Sequence, residues 1–574
     1  MKSAMIADFF KKYGWRYIPG FFLMIACSYI QTRAPIALGA AVEAAATRER
    51  AEFVRFAASI IVIALGVFVT RFGWRWFIVR TSREMEVYLR DRLYTHLIDL
   101  PVGFYTTARS GDLMAYAIND VNAVRQMFGI VFSQFINSVS SLMFSIGRMG
   151  GHIDLKLTVY SLLPVPAAVC TVFLLGAVVR RRAKRAQEMF STISGHVQEN
   201  INGMRVLKAF AQEEPQYREY EKESLQKSEA NRKWYFAAAY MDPIIKSVFG
   251  ISYAVGLIYG GRLVITGVLE LKDYIAFNSY LTMIVNPIIT IGRINNNLQR
   301  GLASYHRLKT LMDEKEVSAF DKTDDGKDFE PSVTAKGLTW RYPGAETDAL
   351  RGISFDLAPG RMLGIVGPTG SGKTTVLSLL LKLIVPERGQ MRVGGRDIND
   401  IPAVSLRKKI GYVPQDGFLF DESIRENVRF FSDATEEEIA SCLDTAGMTE
   451  DIARMPEGLD TPCGERGNHL SGGQRQRVSL ARALVRKPDI LLLDDTLSAV
   501  DASTEEKILA NLKHTLKDRS CIVISHRLSA VENADEIIYI EEGRVTERGT
   551  HASLMALNGG YARMYALQHR KEGA

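Results

Sequence analysis

The residues best suited to chemistry in this chain run from Gly367 to Thr375 and read GPTGSGKTT. They fit the phosphate-loop pattern G-x-x-x-x-G-K-[ST]. Gly367, Gly370 and Gly372, with Thr369 and Ser371 between them, let the backbone turn tightly, so that successive N–H groups surround a phosphate chain. Lys373 supplies a point charge for the β- and γ-phosphates, the Thr374 hydroxyl suits Mg2+, and Thr375 closes the loop. ATP and Mg2+ are the expected ligands. Residues 361–366 read as the strand before the loop and 375–382 as the helix after it. The loop is thereby placed at a helix N-terminus, where the backbone dipoles favour an anion.

Other polar groups fall into line with this loop. Tyr342, in Thr339-Trp-Arg-Tyr-Pro343, is the aromatic expected to stack on adenine. Gln415 ends the strand-like Gly411-Tyr-Val-Pro-Gln415 and is expected to reach Mg2+ and the attacking water. Leu470, Ser471, Gly472, Gly473 and Gln474 open a helix over 475–485, which makes a second anion site in the same domain. One domain holds one nucleotide in its phosphate loop, so this second site most simply completes a nucleotide held by another copy. The apolar run Ile490–Leu493 ends in two carboxylates, Asp494 and Asp495. Strand alternation points them in opposite directions, with Asp494 for the metal and Asp495 for the lytic water. Asp501 follows in Ser-Ala-Val-Asp. His526, at the end of the strand 521–525, is placed to sense the γ-phosphate.

The elements that position these groups divide the chain in two. At 574 residues it is too long for one core. Apolar segments near 15–40, 53–79, 127–147, 156–179, 243–267 and 273–293 are each about the ~20 residues a membrane span needs. Residues 1–14 read as an interfacial helix with Phe9 and Phe10 toward lipid and Lys11 and Lys12 toward headgroups. The apolar stretch that follows is too long for a signal peptide, so none is expected. The connections at 80–126 and 180–242 are long, polar and rich in Lys and Arg, which places them, the N-terminus and the ATP-binding half in the cytoplasm. The net charge of +7 fits basic residues retained on that side. No basic patch interleaved with aromatics argues for nucleic acid. Five scattered cysteines form no CxxC pair and argue for reduced thiols without a metal site. Residues 1–312 are expected to be the membrane domain, 313–332 a charged, solvated linker, and 333–574 the nucleotide-binding domain. The expected fold is a membrane α-helical bundle of six long transmembrane helices with cytoplasmic extensions, followed by an α/β P-loop ATPase domain with a helical subdomain over 416–460.

From Thr339 to His526 the order of aromatic loop, phosphate loop, glutamine loop, LSGGQ, paired acids, SAVD and ISHR resembles the nucleotide-binding domain of ATP-binding-cassette transporters. The first half extends the resemblance. Leu100-Pro-Val-Gly-Phe-Tyr105 with Ser110-Gly-Asp-Leu113, and Asn202–Glu213, are similar to the two intracellular loops of exporter-type half-transporters. The resemblance implies a dimer with two interfacial ATP sites, each pairing one subunit's phosphate loop with the other's LSGGQ. It implies Asp501 in the dimer loop and a coupling contact from Phe104, Ser110 and Phe210 to the cassette near Gln415 and Glu465. It also implies residence in the cell's inner, cytoplasmic membrane.

Two features depart from that pattern or bear on cargo. Asp495 stands where the family usually has the Walker B glutamate, so this chain's own site is expected to hydrolyse slowly beside a different partner that has the glutamate. Polar residues lie in the spans: Gln31 and Arg33, Arg71 and Arg75, Gln134 and Asn137, Asn286 and Arg293. Those that face a cavity would line a cargo path, and their arginines point to an anionic or zwitterionic amphiphile. Membrane lipid and a small-molecule, lipid or peptide cargo are the expected partners. A nucleotide-regulated channel or sensor subunit, and a slow homodimeric lipid exporter, are the competing readings. The apolar spans exclude a soluble DNA-acting cassette ATPase.

Overall fold

The computed structural model describes residues 5–515 and 519–572. They form two compact units: residues 5–98 with 109–314, and residues 99–108 with those from 315 onward.

The first unit is helical. Among the described residues five runs are long and apolar enough to cross a membrane: Met5–Ala46, Arg50–Ile98, Ser110–Ile153, Lys246–Ile265 and Leu271–Met312. The expected span over 156–179 is instead divided at Leu163-Pro164, between helices Leu155–Leu162 and Val165–Asn202. A proline ring crowds the backbone before it and removes an N–H, so a helix breaks there. The first run breaks in the same way at Thr32-Arg33, two residues before Pro35. Leu65, Phe68, Val69 and Phe72 lie exposed along Arg50–Ile98, an apolar surface of the kind a bilayer covers. The run Ser110–Ile153 contains three π-helical turns, at Tyr116–Asp120, Met127–Val131 and Met149–Ile153. Asp120, in the first of them, is buried and salt-bridged to Arg307, with the Ser304 hydroxyl donating to it at 2.8 Å.

The interfacial reading of the N-terminus needs correction. Phe9 is 1% exposed and packs on Tyr13 and Tyr88, and Phe10 stacks against Tyr17 and Phe128. Both rings are spent on protein rather than lipid, because other aromatics face them across the helix pair.

The second unit holds two sheets. The strands are β1 (Val333–Trp340), β2 (Leu350–Leu357), β3 (Met362–Val366), β4 (Met391–Val393), β5 (Arg396–Asp397), β6 (Ile410–Val413), β7 (Ile490–Asp494), β8 (Ser520–Ile524), β9 (Glu536–Glu541) and β10 (Arg544–Gly549). Four make an antiparallel sheet in the order β2-β1-β4-β5; six make a sheet in the order β10-β9-β3-β8-β7-β6, parallel except for β10. The parallel strands are buried on both faces: Leu491 and Leu493 enter one apolar cluster, Ile490 and Leu492 the other. That burial fixes the register, so the C-terminal ends of β3, β7 and β8 present the phosphate loop, the paired acids and His526 along one edge.

The linker is exposed at most positions, as its composition suggests, but its aspartates are not free. Asp321 pairs with Lys382 at 2.6 Å, Asp324 with Lys408 at 2.5 Å, Asp325 with Arg396 at 3.3 Å and Asp328 with Lys409 at 2.5 Å. Lys322 reaches Asp99 at 2.7 Å. The aspartates meet a row of cations on the sheet domain, information that lies elsewhere in the sequence.

Candidate nucleotide site

β3 ends at Val366 and the helix Lys373–Leu380 begins at the loop's own lysine, two residues earlier than its sequence suggests. Gly367 and Gly372 sit at φ +148° and +98°, and a Cβ at either would strike a backbone oxygen, Ile540 O at 2.0 Å or Ala349 O at 2.5 Å. Gly370 also has positive φ but opens onto free space, and Thr369 is exposed beside it. The Lys373 ammonium donates to Gly367 O at 2.9 Å and Pro368 O at 2.7 Å, curled into the loop with the Ser371 hydroxyl 3.4 Å away. Burial lowers its pKa, opposed by Asp495 and Asp494. A buried cation with no salt bridge among the described residues, held on backbone carbonyls at the start of a helix, is suited to an anion.

Thr374 Oγ1 donates to Asp494 Oδ1 at 3.1 Å. Burial raises the Asp494 pKa, offset by Thr374 and by Tyr412, whose hydroxyl also bonds it. Two hard oxygens drawn together at the foot of the phosphate loop are a donor set that fits Mg2+. Gln415 is exposed just beyond β6, and its backbone oxygen accepts from Gln476 Nε2 at 3.4 Å. Tyr342, 41% exposed, has its hydroxyl 3.1 Å from Thr375 Oγ1, which fixes an open aromatic face beside the loop helix. Trp340 braces that ring edge-on.

Asp495 overturns the alternation argument. β7 stops at Asp494, and Asp495 sits at φ +48°, in the left-handed region, so the strand pleat does not set its direction. Both carboxylates lie close enough to Lys373 to raise its pKa against the effect of burial. Asp tolerates this conformation better than most residues, yet a non-glycine residue there stores of order 1 kcal/mol. Its N–H donates to Ile524 O at 2.8 Å, and its Oδ1 accepts from the His526 N–H at 3.1 Å. The carboxylate is thus tied to the backbone of the neighbouring strand end. The His526 ring is partly exposed, and the residue's carbonyl is held by Gln568.

The second anion site is built separately. Ser471 caps the helix Gly472–Val485 in a capping box: its hydroxyl accepts from Gln474 N at 3.3 Å, and Gln474 Oε1 accepts from Ser471 N at 3.0 Å. Leu470 is buried beneath, whereas Ser471 is exposed. A Cβ on Gly473 would come within 2.8 Å of Ala499 O, so this position requires glycine. Gln476 bonds Ser498 at 3.3 Å and accepts from Ala499 N at 3.1 Å, joining the signature helix, the Gln415 strand end and the loop before Asp501. Arg527 grips that loop through Ser498 O and Val500 O. The Asp501 carboxylate caps the helix Ala502–Thr515 and is held at about 2 by bonds from Ser503 and Thr504. Sequence reasoning gave no role to Gln476, Tyr412, Arg527 or Gln568; Tyr412 and Arg527 lie inside the Gln415 and ISHR stretches, and Gln476 is a polar residue on the buried face of the signature helix.

The coupling candidates divide between the units. Phe104 lies in the short helix Val102–Thr107 and Glu465 is exposed at the start of the turn Glu465–Gly467, both in the second unit. Ser110 begins the helix Ser110–Ala115, and Phe210, 71% exposed, follows Met204–Ala209, both in the first. Among the span candidates, Asn137 accepts from Ser28 at 3.3 Å and Arg33 donates to Tyr29 at 2.7 Å. Gln31 is half-buried; Arg71, Arg75, Gln134 and Asn286 are exposed. The Arg293 side chain lies outside the described residues. Arg148, just beyond the expected third span, joins Arg33 on Tyr29 and was not singled out by the sequence.

Comparisons with known proteins agree with this arrangement. Residues 14–288 match the model of the ABC transporter transmembrane region and residues 350–498 that of the ABC transporter. The chain is 37% identical over 567 residues to the probable multidrug resistance ABC transporter ATP-binding/permease protein YheI of Bacillus subtilis, covering 98% of this chain and 96% of that one. It is 33% identical over 574 residues to the multidrug resistance-like ATP-binding protein MdlA of Escherichia coli, covering 98% and 96%. It is 29% identical over 517 residues to the ATP-dependent lipid A-core flippase of Methylobacillus flagellatus, covering 89% and 86%. A solved bacterial Atm1-family ABC exporter with ATP bound superposes with a TM-score of 0.79 at 26% identity, covering 97% of this chain and 99% of that one.

Proposed function

The chain belongs to the ATP-binding-cassette transporter family as an exporter half-transporter, an ATPase coupled to transport, and from that premise we propose that it is the hydrolytically weak half of a heterodimer. The observation that carries this reading is Asp495. A general base must come within about 3 Å of the water it polarises. Asp reaches roughly 1.5 Å less far than Glu, and misplacement on that scale can cost ~100-fold in rate. Here the short carboxylate is also engaged by the His526 N–H. The Ser471 capping box is intact, and in this family's dimer it would serve the nucleotide on the partner.

In this reading Lys373 and the loop N–H groups bind the phosphates of ATP, Tyr342 stacks on the adenine, and Thr374, Asp494 and Gln415 hold Mg2+, which supplies charge neutralisation when bound. His526 contacts the γ-phosphate, Asp501 meets the partner, and Phe104, Ser110, Phe210 and Glu465 carry closure to the spans. Residues 1–312 form the membrane domain, 313–332 the linker and 333–574 the ATPase domain, with both termini cytoplasmic in the inner membrane. The relatives named for multidrug resistance and for lipid A-core flipping make an amphipathic cargo the natural class. The test is to purify the chain alone and with its partner half. ATPase activity that appears only in the mixed complex supports the proposal; a homodimer of this chain with brisk, transport-coupled hydrolysis overturns it.

A further inference from the structure

Two guanidinium groups in the membrane unit converge on a single phenol. Arg33, at the break between helices Tyr17–Gln31 and Ala34–Ala46, donates to Tyr29 Oη at 2.7 Å, and its guanidinium carbon lies 5.2 Å from the ring centroid. Arg148, one turn before the end of the run Ser110–Ile153, donates to the same oxygen at 3.5 Å and lies 5.6 Å from the same ring. His152 stands 3.2 Å from the other Arg148 nitrogen. Phe144 packs edge-on against Tyr29, and the Tyr280 hydroxyl donates to Thr32 O, holding the helix break in place.

The nearby carboxylates are committed elsewhere. Glu43 faces Lys272, and Asp154 accepts from Leu157 N at 2.6 Å as the cap of the next helix. Among the described residues neither Arg33 nor Arg148 meets a carboxylate. Two like charges sharing one acceptor repel each other, and an anion placed against both would relieve that repulsion. A snorkelling arginine would reach out alone, whereas these two, Arg33 exposed and Arg148 half-exposed, meet at one exposed tyrosine. Paired guanidinium forks match the two-oxygen geometry of phosphate and carboxylate. The phenol accepts from both, so its own proton is left to donate to a third group.

We propose that Arg33, Arg148 and Tyr29 form a binding site for the phosphate or carboxylate headgroup of an anionic amphiphile, at the end of the bundle that carries the 149–154 turn. As a cargo subsite it rests on the export reading; as a lipid site it does not.

The full-length chain in phosphatidylcholine nanodiscs, without ATP, is titrated with two fluorescent amphiphiles of equal tail, one headed by phosphate and one by trimethylammonium. The expected result is at least a tenfold preference for the phosphate head, lost in the double variant Arg33→Gln, Arg148→Gln. Tyr29→Phe removes the shared acceptor but leaves both cations, so it keeps the preference. Nucleotide binding by each variant certifies its fold. Should the double variant fail that check, Arg148→Lys replaces it and is expected to weaken the preference by severalfold, since a lysine has no fork. Equal affinity for the two heads in the unaltered chain overturns the proposal, as does a preference that survives loss of the forks. Competition by inorganic phosphate identifies a site that takes the anion alone, which overturns the amphiphile part; no competition supports it. Phosphate-head binding without ATP-driven movement of the probe in the reconstituted complex supports a lipid site and sinks only the cargo role.

Discussion

The phosphate-loop half of the ATPase domain and its signature half are built to different standards. Around Ser471 the polar groups are well tied: serine and Gln474 close a reciprocal cap, and Gln476 and Arg527 lock the loop running to Asp501. At the phosphate loop the binding groups are equally complete, yet the one residue placed for water activation is short, left-handed and tied to a backbone N–H. On the proposed reading, binding and donation are kept while the hydrolytic step is weakened, and the domain serves a partner's nucleotide more than its own.

The largest effect should come from the part both halves need. Lys373→Ala removes charged hydrogen bonds worth about 1.5–3 kcal/mol, so MgATP affinity at this site should fall about 10- to 100-fold and transport should be lost. Calorimetric titration of the purified complex measures the first, and vesicle uptake the second. Unchanged affinity would remove Lys373 from the site.

Ser471→Ala should come next, and it sharpens the comparison by acting at a distance from its own nucleotide. Loss of the cap alone costs about 1 kcal/mol, so turnover at the partner's site should drop about fivefold or more. Trapping of a photoreactive ATP analogue on each subunit separates the sites; a drop confined to this chain's own site would break the proposed pairing. Asp495→Ala should do less, under about twofold in total turnover, because a residue that contributes little has little to lose. Asp495→Glu is the converse, with single-turnover hydrolysis at this site expected to rise. If Asp495→Ala stops the complex, the two halves are not unequal.

The smallest effect is an acid one. Bonds from Ser503 and Thr504 hold the Asp501 carboxyl at about 2, below its ordinary range. A lowered carboxylate contributes stability that is complete above about pH 4 and fades as pH falls toward the folded value. Hydrogen-exchange protection of residues 502–506 should therefore be flat from pH 8 to 5 and decline only below about 4. Asp501→Asn, which still accepts the cap bonds, should flatten that decline. A decline already present near neutrality would assign the titration to another group.

Much of the ATPase domain was legible because its chemistry is local. The phosphate loop, the LSGGQ helix and the acid pair each sit on one contiguous stretch between a strand and a helix. What escaped depends on distant partners. The left-handed turn at Asp495 arises where the strand stops between the two carboxylates rather than running through both. Gln476 matters because Ala499 and Gln415 reach it from other elements. The linker aspartates read as solvated, and Asp324 and Asp328 stay exposed, but their pairing with Lys382, Lys408, Arg396 and Lys409 depends on residues far along the chain. In the membrane unit Arg148 gained meaning only beside Tyr29, more than a hundred residues away.

The three π-helical turns of Ser110–Ile153 have a mechanical consequence. Each such turn holds one residue more than an α-turn would. Letting that residue slip back into α-geometry would move everything beyond it by about 1.5 Å along the axis and turn it by roughly 100°. The rod therefore carries its own slack, stored at three points along its length. Asp120, in the first of these turns, is ion-paired to Arg307, so that point of slack is pinned to the helix Leu271–Met312.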